Sequence, residues 1–324
     1  MTCAIGCGIL LVLVVVFFFG SIFWLTKKGE FEAETTLLNA QSEFFIEAYV
    51  TKEDQILVEF LTQLSNVMNQ QNPMMARYPF LAEWNERGTR KDLQKLLPLK
   101  IEVAGSVAEE DFRSSVGFSL YNNLADLAFW FLKRSAAKKE QVREYEGETY
   151  VALEEDSGDR FVYLALRDSV FYLTNTEPGI QACLTNELDM DHHLTFDALA
   201  GVDLDAPIYG YATGQSISPQ LLAIIDIEDP ELTMLMAPDF LQRIAFFARV
   251  PDQTTLQATL DFYPLPSSDP DRLLQLVQSI KENLEQRENL NIQCVIQQET
   301  YRTRLDMSFL NMDETLRQNI TVSY

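Results

Sequence analysis

"LKIEVAGSVAEEDFRSSVGFSL" (Leu99 to Leu120) is the stretch whose reading decides the fold: two β-rich runs joined by an acidic turn, the pattern of a hairpin. Alternation gives such a hairpin one apolar face, and that face must be covered by something. The next segment, "NLADLAFWFLKRSAAKK" (Asn123 to Lys139), reads as the covering helix, with Leu124, Leu127, Ala128 and Phe131 as its apolar stripe. Upstream, "FFIEAYV" (Phe44 to Val50) reads as a strand and "ILVEFLTQLSNVMN" (Ile56 to Asn69) has helical spacing. Downstream, "VREYEGETYVALEE", "RFVYLAL" and "SVFYLTN" read as strands, closed by a short helix after Pro178.

The second half runs through the same elements in the same order. "PIYGYAT" (Pro207 to Thr213) takes the place of "FFIEAYV", and "ISPQLLAIID" that of the first helix. "QRIAFFARVPDQTTLQATLDFYP" (Gln242 to Pro264) repeats the hairpin. "DPDRLLQLVQSIKENLEQREN" repeats the long helix, with Asp269 as N-cap, Pro270 at its first position and Leu273, Leu276, Val277 and Ile280 as its stripe. "NIQCVIQQE" and "YRTRLDMSFL" repeat the strands, and "MDETLRQNI" the closing helix. The matching order predicts an internal duplication. The expected fold class is α+β: an N-terminal transmembrane helix, then a duplicated body of antiparallel sheets with helices packed on one face. The expected division is an anchor over 1–28, a short tether over 29–40, a first α+β repeat over 41–202 and a second over 203–324.

The anchor rests on "GILLVLVVVFFFGSIFWLTKKGE" (Gly8 to Glu30) and the residues before it. From Cys3 to Leu25 there is no charge and no proline, enough apolar chain to cross a bilayer as a helix. A cleaved leader would open on a basic stretch and end in small residues, whereas "MTCAIG" carries no Lys or Arg and the exit is Phe23, Trp24 and Leu25. The expected partner of residues 3–25 is therefore the lipid bilayer, with Trp24, Lys27 and Lys28 at its interface. The two lysines favour a cytoplasmic body, but large domains translocate with little regard for charge, so charge leaves the side open.

The chain carries a formal charge of -23, from 25 basic and 48 acidic residues, and two of the basic ones are Lys27 and Lys28. Such a surface repels phosphates, which excludes nucleic acid as an expected partner. No nucleophile elbow, P-loop, HExxH or CxxC is present. His192 and His193 stand beside Asp189, Asp191 and Asp197, yet their spacing matches no metal motif. No catalytic residue, metal or cofactor is expected. Cys183 and Cys294 are the only cysteines of the body; their positions in opposite halves predict two buried thiols rather than a disulfide.

Two features stand out. Each half has an apolar, Met-containing connection before its hairpin: "NPMMARYPFLAEW" (Asn72 to Trp84) and "DPELTMLMAPDFL" (Asp229 to Leu241). Met74, Met75, Phe80, Trp84, Met234, Met236 and Phe240 are the candidate apolar binding surface, although Met and Phe at such spacing more often belong to short helices capping the core. Trp130 joins the candidates because Phe129 to Leu132 leave no polar side over a helical turn.

The N-terminal span, "FVYLALRDSVFYLTNTEPGIQACL" (Phe161 to Leu184), "LTFDALAG" and "PIYGYAT" together resemble an uncharacterised bacterial family of membrane-anchored extracytoplasmic proteins. The likeness covers most of residues 35–324. It implies a single-pass protein of the cell membrane with an extracytoplasmic body, and supplies no catalytic residues. The expected function is a non-enzymatic envelope protein that binds or scaffolds a partner, the alternative being a carrier of a lipid or other apolar ligand in a groove lined by the Met-rich connections.

Overall fold

The computed structural model describes residues 37–38, 42–51, 53–54, 57, 97–106, 111–118, 122–137, 141–154, 161–168, 170–185, 198–214, 216, 240–252, 254–286 and 291–311. Twelve strands are described: β1 (Phe44–Val50), β2 (Leu99–Ser106), β3 (Asp111–Phe118), β4 (Val142–Tyr145), β5 (Glu148–Glu154), β6 (Phe161–Arg167), β7 (Val170–Thr174), β8 (Ile208–Thr213), β9 (Leu241–Arg249), β10 (Leu256–Pro264), β11 (Asn291–Gln298) and β12 (Thr303–Leu310). Three helices are described: α1 (Asn122–Ala137), α2 (Glu177–Thr185) and α3 (Pro270–Glu285).

All twelve strands form one antiparallel sheet, in the order β11-β12-β10-β9-β8-β1-β2-β3-β7-β6-β5-β4. The order is symmetric about the central β8–β1 pair. On one side β8, β9, β10, β12 and β11 run outward; on the other β1, β2, β3, β7 and β6 do so, and the β5–β4 hairpin is added at the far end. We call these sides the second and first wings.

The expected fold class is corrected here. The antiparallel sheets are not separate: β1 and β8 pair directly, with Ile46 opposite Gly210, so the halves share one hydrogen-bonded ladder. Gly210 permits that approach, since a Cβ there would lie 2.2 Å from the Phe45 carbonyl oxygen. Nor do the helices keep to one face. A single row of directly opposed residues crosses the molecule from Val151 through Leu164, Leu173, Ser114, Val103, Ile46, Gly210, Phe246 and Leu260 to Leu305 and Ile296. α1 and α3 both pack on the face of this row, α1 against Val151, Leu164 and Phe171, α3 against Leu305 and Ile296. α2 packs on the other face, where Ile180, Cys183 and Leu184 meet Ala152, Ala165 and Tyr172. Among the described residues the body is mostly sheet, not a balance of helix and strand. The anchor expected over Cys3–Leu25 lies outside the described residues, and among those described no helix is long and apolar enough to cross a membrane.

Local sequence explains α3 well. The Asp269 side chain accepts from the Asp271 backbone N–H at 3.0 Å, Pro270 opens the helix, and Leu273, Leu276 and Val277 are buried on one stripe. The expected stripe of α1 is corrected at Phe131, while the side chains of Leu124 and Ala128 lie outside those described. Phe129, Leu132 and Ala136 face the sheet, while Trp130 and Phe131 are 46% and 57% exposed. Four consecutive apolar residues carry no periodicity of their own, so the sheet selects which of them it covers. The run expected as one strand from Val142 is a hairpin, turned by Glu146 and Gly147, both at positive φ, as a two-residue loop of this hand requires.

Candidate functional site

The central strands carry polar side chains on the face opposite α1 and α3. In β1 and β2, Glu47 is directly opposite Glu102 and Tyr49 opposite Lys100; across the seam Glu47 is opposite Tyr209. Alternation puts all five on one face, and the chain brings cover to it from a distance. Leu37 and Leu38, in the segment expected as a tether, are buried here, with Leu37 in the same core as Phe45 and Tyr211. Leu199 and Val202 pack against that core as well.

Glu102 sits at the centre, 1% exposed. Its Oε1 lies 2.9 Å from Lys100 Nζ, and its Oε2 accepts from the Leu37 N–H at 3.2 Å and the Ser115 hydroxyl at 3.1 Å. Lys100 Nζ is also 3.5 Å from Glu47 Oε2. Burial raises the Glu102 carboxyl to about 7 against the attraction of Lys100, and the neighbouring Glu47 charge adds to the rise. The Tyr209 hydroxyl, bonded to Glu47, is pushed far up, chiefly by burial. One ammonium thus stands between two carboxyl groups, of which the buried one keeps its proton to higher pH than an ordinary glutamate.

Above this cluster the seam opens into a cleft of about 470 Å³, lined by Glu47, Tyr49, Thr51, Asp54, Lys100, Leu204, Asp205, Ala206 and Pro207. Asp54 is oriented by the Thr51 N–H and hydroxyl, at 2.8 and 2.7 Å. Tyr49 donates its backbone N–H to the Pro207 carbonyl at 2.7 Å, which fixes the cleft wall to β1. Three carboxylates against one ammonium make the lining acidic, and half-exposed Tyr49 and Leu204 supply apolar surface.

Two other polar clusters lie on the same face. In the second wing, buried Asp261 accepts from Arg304 at 2.8 and 2.7 Å and from Arg302 at 3.1 Å, and Arg302 bonds Glu299. In the first wing, Glu177 accepts from Arg143 and from Tyr150, and these bonds hold its carboxyl below the usual range. Both are closed sets of ion pairs and hydrogen bonds, whereas the seam cluster borders a cavity. Among the described residues no group of three metal-ligating side chains occurs; the stretch with His192 and His193 lies outside them.

Of the apolar candidates, Met74, Met75, Phe80, Trp84, Met234 and Met236 lie outside the described residues. Phe240 is buried in the core beneath α3, beside Leu241 and Phe262, and Trp130 is exposed on α1. The structure does not bring these two together: they belong to opposite wings. Cys183 and Cys294 are buried thiols in different clusters, one under α2 and one under α3. Sequence reasoning missed Glu47, Lys100 and Glu102. The signal was present in "FFIEAYV" and "LKIEV", where charges alternate with apolar residues, but that pattern ordinarily marks a solvated face.

No family model matches the chain, and no curated protein matches it. Among solved structures it is similar to crystal form IV of TP0453, at 8% identity over 87% of this chain and 94% of that one, with a TM-score of 0.42. A likeness of that size carries no argument about fold or activity.

Proposed function

We propose that this is a membrane-anchored, extracytoplasmic protein of the cell envelope that works by binding a partner, which it grips by a cationic side chain in the seam cleft. The observation that supports this reading is the cleft lining, in which Glu47, Asp54 and Asp205 surround an apolar patch of Tyr49 and Leu204. A carboxylate-lined pocket with an aromatic wall suits a guanidinium or ammonium on an apolar stem. The body's acidity would draw such a partner in from a distance. The charged lining does not suit an acyl chain, so the cleft does not favour the lipid-carrier alternative. The apolar stretch Cys3–Leu25 supplies the anchor, and resemblance to anchored extracytoplasmic proteins supplies the side.

The test uses the full-length protein in detergent, titrated calorimetrically with a short arginine- and tyrosine-containing peptide. Binding should weaken about tenfold in the double variant Asp54→Asn, Asp205→Asn, and should weaken further with added salt. Equal binding to wild type and variant would overturn the reading. Digestion of the body by protease added outside intact cells, together with an intact mass that retains the N-terminal segment, tests anchor and side separately.

A further inference from the structure

The sheet ends in two edge strands that differ in kind. β4 is four residues long and carries Arg143 and Glu144, features that discourage another strand from pairing. β11 is eight residues long, NIQCVIQQ, without one charged side chain in a chain that is 23% charged. Among the described residues no strand pairs with its outer side.

One group does occupy that side. The Cys294 N–H donates not to β12 but to Glu285 Oε1, at 3.1 Å, from the last turn of α3. In an antiparallel ladder a residue's N–H and C=O point to the same neighbour, and the direction alternates along the strand. Cys294 therefore presents both groups outward, and so do Ile292 and Ile296. The Glu285 carboxylate stands where the carbonyl of an added strand would stand. Among the described residues its ion-pair partner is Lys281, whose Nζ is 3.9 Å away, and its side chain is 37% exposed.

We propose that the outer edge of β11 is a docking site for an extended segment of another protein, which adds as a further strand and displaces Glu285. A second copy of this chain is the wrong occupant. Pairing two β11 strands about Cys294 would bring both α3 helices to the same line, since each reaches over the edge at Glu285, and each copy carries a charge of -23. The fitting segment is apolar where it continues the row of Ile292, Cys294 and Ile296, neutral beside Gln293 and Gln297, and basic at its flanks, which the chain's charge of -23 attracts. This edge is remote in the strand order from the seam, so failure here leaves the cleft reading standing, and the reverse.

The experiment is fluorescence anisotropy on the full-length protein in detergent with a labelled Lys-Val-Thr-Val-Thr-Val-Lys peptide, and with the same peptide N-methylated at its valines. The unmethylated peptide should bind, about tenfold more tightly to Glu285→Ala than to wild type, and the methylated one should not. Ile296→Pro removes an outward N–H without cutting the β12 ladder, and should abolish binding while the circular dichroism spectrum is kept. On binding, amide exchange should slow at Ile292, Cys294 and Ile296. Equal binding of the methylated peptide, unchanged affinity in Glu285→Ala, or binding that survives Ile296→Pro would each overturn the proposal.

Discussion

The two wings share a strand order and differ in what their corresponding strands carry on the face away from α1 and α3. In the first wing, β6 and β7 present Tyr163, Ala165, Val170 and Tyr172 there, an apolar surface that α2 covers. In the second wing β12, the counterpart of β7, presents Arg304 and Asp306, and its neighbour β10, the counterpart of β3, presents Thr259 and Asp261. That side is held by ion pairs instead: Asp261 with two arginines, and Thr259 donating to Asp306 at 2.7 Å. The opposite face differs more quietly. α3 seals its wing with Leu273, Leu276 and Val277 at 1% exposure or less, whereas α1 leaves Trp130 and Phe131 outside. One backbone plan therefore accepts either apolar cover or an ion-pair network on a given face, because strand order fixes only which residues meet.

If the Asp261 network holds the second wing as α2 holds the first, its removal should have the largest effect. Asp261→Ala takes from Arg304, 21% exposed, the carboxylate it pairs with, while Arg302 keeps Glu299, and should destabilise by about 3 kcal/mol in urea titration. A loss below about 1 kcal/mol would mean that solvent replaces the network. Leu276→Ala, in the fully sealed stripe of α3, should cost about 2–5 kcal/mol by lost burial and the cavity left behind.

The seam between the wings should show itself through pH. Glu102 is raised from the ordinary 4.5 to about 7, so the folded state keeps a proton that the unfolded state has released. Stability from this group is complete below about 4.5 and is lost as pH rises toward 7. Across that window wild type should lose on the order of 2–3 kcal/mol relative to Glu102→Gln, which cannot titrate and in which Lys100 retains Glu47. A difference that stays flat with pH would break the assignment. Glu177 in the first wing acts in the opposite sense: its lowered carboxyl adds stability at neutral pH that is lost on acidification. The smallest effect sharpens the contrast between helices: Phe131→Ala should change the melting midpoint within the range of a surface substitution, about 0.5 kcal/mol or less. A loss comparable to that of Leu276→Ala would show that α1 is covered after all.

Much of the local structure was legible in the sequence, because it depends on neighbours a few residues away. The β2–β3 and β9–β10 hairpins follow from alternation around a polar turn, and the start of α3 from an Asp-Pro pair before a helical stripe. The stripe of Leu273, Leu276 and Val277 was legible for the same reason. Legibility ended where partners are distant in the chain. "LKIEV" announces two faces but not which one is covered, and the cover on Lys100 and Glu102 includes Leu37, whose N–H reaches Glu102 across 65 residues of sequence. "AFWF" announces a buried turn without its phase, and the sheet chose Phe129. Strand alternation likewise cannot say that β1 would pair with β8, 164 residues onward, and merge two expected sheets into one. The sequence by itself determined the strands, their faces and the caps. Only the tertiary structure decided which faces meet, and so placed an ammonium and two carboxylates in the middle of the molecule, because burial belongs to the assembled sheet and not to any strand within it.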